Sequence, residues 1–222
     1  MINQVNYILN FKMKKDLQSR ITKHSNLIEN DSLSGFDNHF AQQHHNVYIT
    51  FYKLLEDYKP NRILEIGTAL GGFTKFLKQV TDTLNLNTYI MSFDISARPW
   101  YDEMKNDGID VRVEDIFGDY LDIPNEIKHF IKKQGKIMIL CDGGDKVREF
   151  RLLSQFMKEG DIIMAHDYAP NQEYFDKYIN GKIWNWLEIQ DSDIKESCSR
   201  HNLHPYMEYE LRDVVWVGKI KK

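Results

Sequence analysis

Only two cysteines, Cys141 and Cys198, occur in 222 residues, too few for a disulfide framework. Cys141 ends an apolar run and reads as a small buried hydrophobe. Cys198 sits in a polar stretch, so a reducing compartment is expected and the protein is read as cytoplasmic. No apolar run approaches the ~20 residues of a membrane span. The polar N-terminus shows neither a signal peptide nor an anchor, and no membrane partner is expected. A positive excess is missing too: 29 Lys and Arg against 33 Asp and Glu leave a net charge of −4. Without a clustered basic surface, nucleic acid is not expected as a partner. Internal repeats and low-complexity linkers are also lacking.

The length suits one α/β domain with an accessory segment. Val5, Leu9, Met13, Leu17 and Ile21 recur at a spacing of four, which predicts a helix within residues 1–30. That helix would pack on the main domain or on a second copy of the chain, making a homo-oligomer. Residues 1–40 are therefore read as an N-terminal helical extension and 41–222 as the main domain. The polar, glycine-containing stretch Asp31 to Gln43 reads as a loop. Tyr48, Phe51, Tyr52, Leu54 and Leu55 mark a helix ended by Lys59-Pro60.

Beyond Pro60, short apolar runs alternate with helix-length segments. The expected strands are Arg62 to Ile66, Tyr89 to Phe93, Asp110 to Val113, Ile137 to Cys141 and Asp161 to Ala165. Gly72 to Val80, Trp100 to Asn106, Pro124 to Lys133 and Lys146 to Lys158 are the helices between and after them. Such alternation implies a Rossmann-like, doubly wound, mostly parallel sheet covered on both faces. Tyr206 to Leu211 and Val214 to Ile220 read as a terminal antiparallel hairpin turning at Arg212-Asp213.

The run Ile63-Leu64-Glu65-Ile66-Gly67-Thr68-Ala69-Leu70-Gly71-Gly72 leaves a buried strand and enters a helix. Its glycines let the backbone turn sharply and approach a ligand. In an open α/β sheet such a loop lies outside the carboxyl ends of the strands, where ligands bind. The second strand ends at Asp94, placed to accept hydrogen bonds from ribose hydroxyls. Asp115 follows the third strand, beside Ile116 and Phe117, which can flank a flat base. A dinucleotide fingerprint needs glycine where Ala69 stands, to admit a pyrophosphate. A nucleoside cofactor without a diphosphate fits better, although a nicotinamide-dependent oxidoreductase stays open on these residues.

Glu65-Ile66-Gly67-Thr68 followed by Gly71-Gly72 resembles the first motif of class I S-adenosylmethionine-dependent methyltransferases. The resemblance spans about residues 40–220. It implies S-adenosyl-L-methionine as cofactor, bound through Glu65, Gly67, Thr68, Gly71, Gly72, Asp94, Asp115, Ile116 and Asp142. The terminal hairpin matches the family's reversed last strand.

A second polar cluster follows strands four and five: Asp142-Gly143-Gly144-Asp145-Lys146 and His166-Asp167-Tyr168. Adjacent strands bring Asp142, His166 and Asp167 to one rim. Two carboxylates and an imidazole suit Mg²⁺ or Mn²⁺, and imidazole also admits iron or zinc. A cation there would lower the pKa of a substrate hydroxyl. Spacing alone equally allows residues that only touch substrate or cofactor, hence a metal-independent methyltransferase. Lys146 and His166 are the candidate general bases.

Asp-Gly-Gly with His-Asp resembles the small-molecule O-methyltransferases of the macrolide, rhamnosyl and cephalosporin hydroxylase group. In that group and in catechol-type enzymes, acidic residues after strands four and five hold Mg²⁺. The resemblance places Asp142 and Asp167 in those positions, His166 at a variable neighbour, and Tyr168 where catechol-type enzymes place a third ligand. It implies a small hydroxylated acceptor such as a sugar. His39, His44 and His45 read as surface or substrate-loop residues. Trp100, Tyr101, Tyr168, Tyr174, Trp184 and Trp186 supply rings for a pocket or for the core. Asn171 to Gly181 reads as a lid.

Overall fold

In the computed structural model, residues 15–24, 33–118 and 122–222 are described. Val5, Leu9 and Met13, the first part of the expected N-terminal helix, lie outside them. Within them, helix α1 (Lys15–Ser19) buries Leu17, but it stops before Ile21, which begins strand β1 (Ile21–His24). The β-branched pair Ile21-Thr22 favours extended backbone, and this outweighs the helical spacing.

The expected loop Asp31 to Gln43 is instead largely a hairpin, β2 (Leu33–Phe36) and β3 (His39–His44), which extends β1 into a three-stranded antiparallel sheet. Asp37 and Asn38 form its turn with φ of 50° and 64°. Two consecutive left-handed residues give a turn whose twist matches a hairpin, and Asp and Asn tolerate that conformation. The division at residue 40 therefore falls inside β3. The small sheet packs on the main domain, with Phe36 edge-on to Phe76 at 5.6 Å.

Helix α2 (Val47–Tyr58) ends as expected: Lys59 takes φ 53° and caps the Leu55 carbonyl ahead of Pro60. The following elements are β4 (Arg62–Ile66), α3 (Gly72–Thr83), β5 (Tyr89–Asp94), α4 (Tyr101–Asn106), β6 (Asp110–Val113), α5 (Asn125–Lys132), β7 (Ile137–Cys141), α6 (Lys146–Ser154) and β8 (Ile162–Ala165). A single turn, α7 (Gln172–Tyr174), α8 (Asp191–Arg200), β9 (Leu203–Pro205), α9 (Glu208–Arg212) and β10 (Val217–Lys221) complete the chain.

These strands form a seven-stranded sheet in the order β6-β5-β4-β7-β8-β10-β9. It is parallel except for β10, which runs antiparallel to both β8 and β9. The antiparallel pair holds, but its connection is corrected. Glu208 to Arg212 is helical, burying Leu211, and the outer strand comes earlier, at Leu203–Pro205.

Both faces of the sheet are covered. Ile63, Met138 and Leu140 join one core with α2 and α3; Leu64, Ile66, Ile137 and Ile139 join the other with α5 and α6. All five β7 side chains are fully buried. Each large apolar one contributes about 1.5–3 kcal/mol relative to exposure, which fixes the register of the central strands.

Strand parity puts Glu65 on the Ile63 side, beneath α3, where it is buried. Its carboxyl accepts hydrogen bonds from Thr74 Oγ1 at 2.7 Å and Ser92 Oγ at 2.5 Å, joining β4 to α3 and β5. Burial outweighs both bonds and pushes its pKa up from 4.5 to about 7. A carboxyl raised in this way stabilises the fold fully below about pH 4.5, and that contribution fades as pH rises through 7. Urea denaturation should therefore show the stability advantage of wild type over Glu65→Gln shrinking by about 1–3 kcal/mol between pH 4.5 and 8. Parallel pH profiles for the two proteins would contradict this.

Candidate active site

The chain winds outward from β4 through β5 to β6, then crosses back to place β7 on the other side of β4. At such a switch point the loops beyond the carboxyl ends diverge and leave a crevice. Here it is a cavity of about 630 Å³, lined by the loops after β4, β5, β6, β7 and β8 and by Phe40 to Gln43 of β3. The loop after β4 rises against the loop after β7. Gly67 has φ 95°, and a Cβ on it would lie 2.2 Å from the Asp142 carbonyl oxygen. Only glycine meets both conditions.

The expected cofactor residues divide into two groups. Gly67, Thr68, Gly71, Asp94, Asp115, Ile116 and Asp142 line the cavity. Glu65 and Gly72 do not, which corrects their expected contact role. Glu65 braces the loop from below, as described above. Gly72 admits β3, because a Cβ there would lie 2.4 Å from the His39 carbonyl oxygen.

Asp94 is held by the Ala69 N–H at 2.7 Å and the Ser96 N–H at 2.8 Å, one on each carboxylate oxygen. Each oxygen keeps lone-pair capacity toward the cavity. Asp115 accepts from the N–H groups of Phe117 and Gly118, which hold its carboxyl below the usual carboxylate range. It thus shapes the loop that presents Ile116 and Phe117. Trp100 and Tyr101 back the β4 loop rather than floor the cavity: Trp100 packs beside Gly71, and Tyr101 donates to the Ala69 carbonyl at 3.0 Å.

After β7 and β8, Asp142, His166 and Asp167 come together as expected, with ligand atoms within 4.8 Å of one another. His166 Nδ1 donates to Asp142 Oδ1 at 2.9 Å. The imidazole stacks on Trp216 at 4.9 Å, and its buried Nε2 has no hydrogen-bond partner among the described residues. Burial lowers the His166 pKa, but Asp167 and Asp142 outweigh it and the net direction is upward. Asp167 sits at φ 55°, an uncommon backbone for a non-glycine residue, which aims its carboxylate back at the cluster.

Lys146 Nζ bonds the Gly143 carbonyl at 2.9 Å, Glu188 Oε2 at 2.7 Å and Asp167 Oδ2 at 2.9 Å. Burial acts against its charge, yet Asp142, Asp167 and Glu188 raise its pKa. Lys146 is therefore a fixed cation, which corrects its expected role as a base.

Sequence reasoning missed four residues here. Gln43 donates to Asp142 Oδ2 at 2.6 Å and accepts from Trp216 Nε1 at 2.9 Å. Glu149 lies beneath Gly143 and accepts from the Gly143 and Asp145 N–H groups, each at 3.2 Å; burial pushes its pKa up to about 7. Arg148 holds the β6 loop through the Phe117 and Gly118 carbonyls. Glu188 partners Lys146. A charged residue at helical spacing from Asp145 was a usable signal for Glu149; Gln43 and Glu188 carried none.

The expected lid, Asn171 to Gly181, contributes no lining side chain, because Phe175 and Ile179 anchor it in a small core with Trp184 and Val215. Trp184 and Trp186 do line the cavity; the first is buried and the second 38% exposed. Tyr168 and Tyr174 do not line it. His39 bonds Lys75 Nζ at 3.1 Å, and the His44 and His45 rings lie 4.4 Å apart, tilted by 41°, all outside the Asp142 cluster.

The implied divalent cation can be tested against these contacts. The cluster has the right residue types, but all four oxygens of Asp142 and Asp167 already accept a donor from the chain, one of them an ammonium. A metal of higher charge does not fit beside that ammonium.

No curated sequence matches the chain. In solved structures it is similar to "CmcI-N160 apo-structure", at 12% identity and TM-score 0.52, covering 80% of this chain and 71% of that one. It is also similar to a putative caffeoyl-CoA O-methyltransferase from Staphylococcus aureus, at 9% identity and TM-score 0.50, covering 79% and 83%. At these identities the likeness speaks to the fold. The family model "Rhamnosyl O-methyltransferase/CmcI" matches residues 39–185, from the start of β3 through the insert after β8. With that match over most of the chain and over all the lining residues except Trp186 and Glu188, the chain belongs to the rhamnosyl O-methyltransferase/CmcI family and is an S-adenosylmethionine-dependent methyltransferase.

Proposed function

We propose that the chain transfers a methyl group from S-adenosylmethionine to a hydroxyl oxygen of a small acceptor, with a sugar as the favoured class. One observation carries this reading. The β4 loop with Asp94 and the His166–Asp142 pair line a single cavity.

When bound, the sulfonium compound supplies an electrophilic methyl. The chain's own residues supply the rest. Asp94 is placed to take ribose hydroxyls, and Ile116 and Phe117 to enclose the base. With Nδ1–H committed to Asp142, a neutral His166 carries its lone pair on Nε2, the atom left without a partner. It takes the acceptor's proton as the hydroxyl oxygen attacks. Trp186, partly exposed at the cavity mouth, offers a flat apolar face to a sugar ring, and Asp145 and Glu188 offer acceptors for its hydroxyls. Much of the rate gain in such a displacement comes from orientation. Ala69, where a dinucleotide-binding loop has glycine, stands against the oxidoreductase alternative.

Isothermal titration with S-adenosylhomocysteine should show binding weakened by about 1–3 kcal/mol in Asp94→Ala. Unchanged affinity would remove Asp94 from the ribose site. His166→Gln should bind S-adenosylhomocysteine like wild type. It should release it about 10²–10⁴-fold more slowly from S-adenosylmethionine supplied with a panel of rhamnosides and catechols. Turnover at the wild-type rate would rule out His166 as the base.

A further inference from the structure

We infer that the cation of this active site is the Lys146 ammonium, and that it takes over the charge role that the family resemblance gives to a divalent metal ion. The inference rests on the transferase reading but on different observations. The first is that each carboxylate oxygen of the cluster already accepts one donor from the chain, so a metal would share every oxygen with a proton. Asp142 Oδ1 takes His166 Nδ1 at 2.9 Å and Oδ2 takes Gln43 Nε2 at 2.6 Å. Asp167 Oδ1 takes Trp184 Nε1 at 2.5 Å and Oδ2 takes Lys146 Nζ at 2.9 Å.

These donors are fixed from outside the cluster. Gln43 must present its NH₂ to Asp142, because its carbonyl end already accepts the indole N–H of Trp216 at 2.9 Å. An indole N–H can only donate, so Trp184 likewise commits its side of Asp167 to accepting.

The second observation is the state of Lys146. The ammonium donates to Gly143 O and Glu188 Oε2 and is ion-paired with Asp167 Oδ2 at 2.9 Å. The side chain is only 4% exposed. A divalent ion bound to Asp167 Oδ2 would lie within a few ångströms of this charge and be repelled by it.

Lys146 then does electrostatically what the metal would do. It holds positive charge beside the position where the acceptor oxygen develops negative charge. Glu188, 43% exposed, is the partner that an incoming hydroxyl displaces from Nζ; Asp167 and Gly143 keep the ammonium in place.

Paramagnetic resonance of Mn²⁺ added to the protein saturated with S-adenosylhomocysteine tests this without an activity assay. Wild type should leave the free-ion signal intact up to millimolar Mn²⁺. Lys146→Met, which vacates the cation position while keeping the stem, should bind Mn²⁺ at least ~100-fold more tightly. Adding Asp167→Asn to that variant should abolish the binding. Micromolar Mn²⁺ binding by wild type, lost in Asp142→Asn, would overturn the inference. Calorimetry of S-adenosylhomocysteine on the same samples separates the two claims. Absence of that heat would sink the transferase reading, whereas the Mn²⁺ pattern alone decides the assignment of Lys146.

Discussion

The loop after β4 and the loop after β7 touch backbone to backbone, and the rest of the site depends on that contact. A single methyl at Gly67 would lie 2.2 Å from the carbonyl oxygen of Asp142. The contact follows from the winding of the sheet, since β4 and β7 are parallel neighbours in register from Arg62↔Ile137 to Ile66↔Cys141. It places the cofactor loop beside the loop that carries Asp142, Gly143 and Lys146. Glu65 secures it from below through Thr74 and Ser92, and Glu149 secures the other loop through two backbone N–H groups. Two buried carboxyls, each with a pKa near 7, thus brace the two loops that meet at the cavity.

The cavity is closed by parts of the chain far from the central strands. The hairpin β2–β3 sits on the first turn of α3, so tightly that Gly72 has no room for a side chain, and it sends Gln43 to Asp142. Trp216, just ahead of β10, orients Gln43 and also stacks on His166. The insert after β8 returns Trp184 to Asp167 and Glu188 to Lys146. Apart from the exposed Glu188 and the unpartnered Nε2 of His166, these polar groups are buried or half-buried and paired with a named partner. That network fixes the orientation of the His166 ring through Asp142 and Trp216.

The central strands were legible because β4 and β7 are nearly unbroken apolar runs between helix-length segments, as a two-sided parallel sheet demands. The positions of Asp94, Asp142, His166 and Asp167 followed from strand ends alone. What strand ends do not give is direction. Glu65 alternates with Leu64 and Ile66 and so had to face α3, a parity that the motif obscured. Lys146 looked like a base because its partner Glu188 lies 42 residues away, and Gln43 lies 99 residues from Asp142. The hairpin at Asp37-Asn38 was hidden by polar residues on its strands. Glu208 to Arg212 is helical with Leu211 buried, and the apolar spacing there did not separate the two readings.

The central claim is that one crevice holds the methyl donor against the His166–Asp142 pair. A crystal structure with S-adenosylhomocysteine tests it most directly. The account predicts adenosyl density between Asp94 and Phe117, with the sulfur facing His166 and Lys146 still paired to Asp167. Density elsewhere on the protein, or a sulfur turned away from His166, would contradict it.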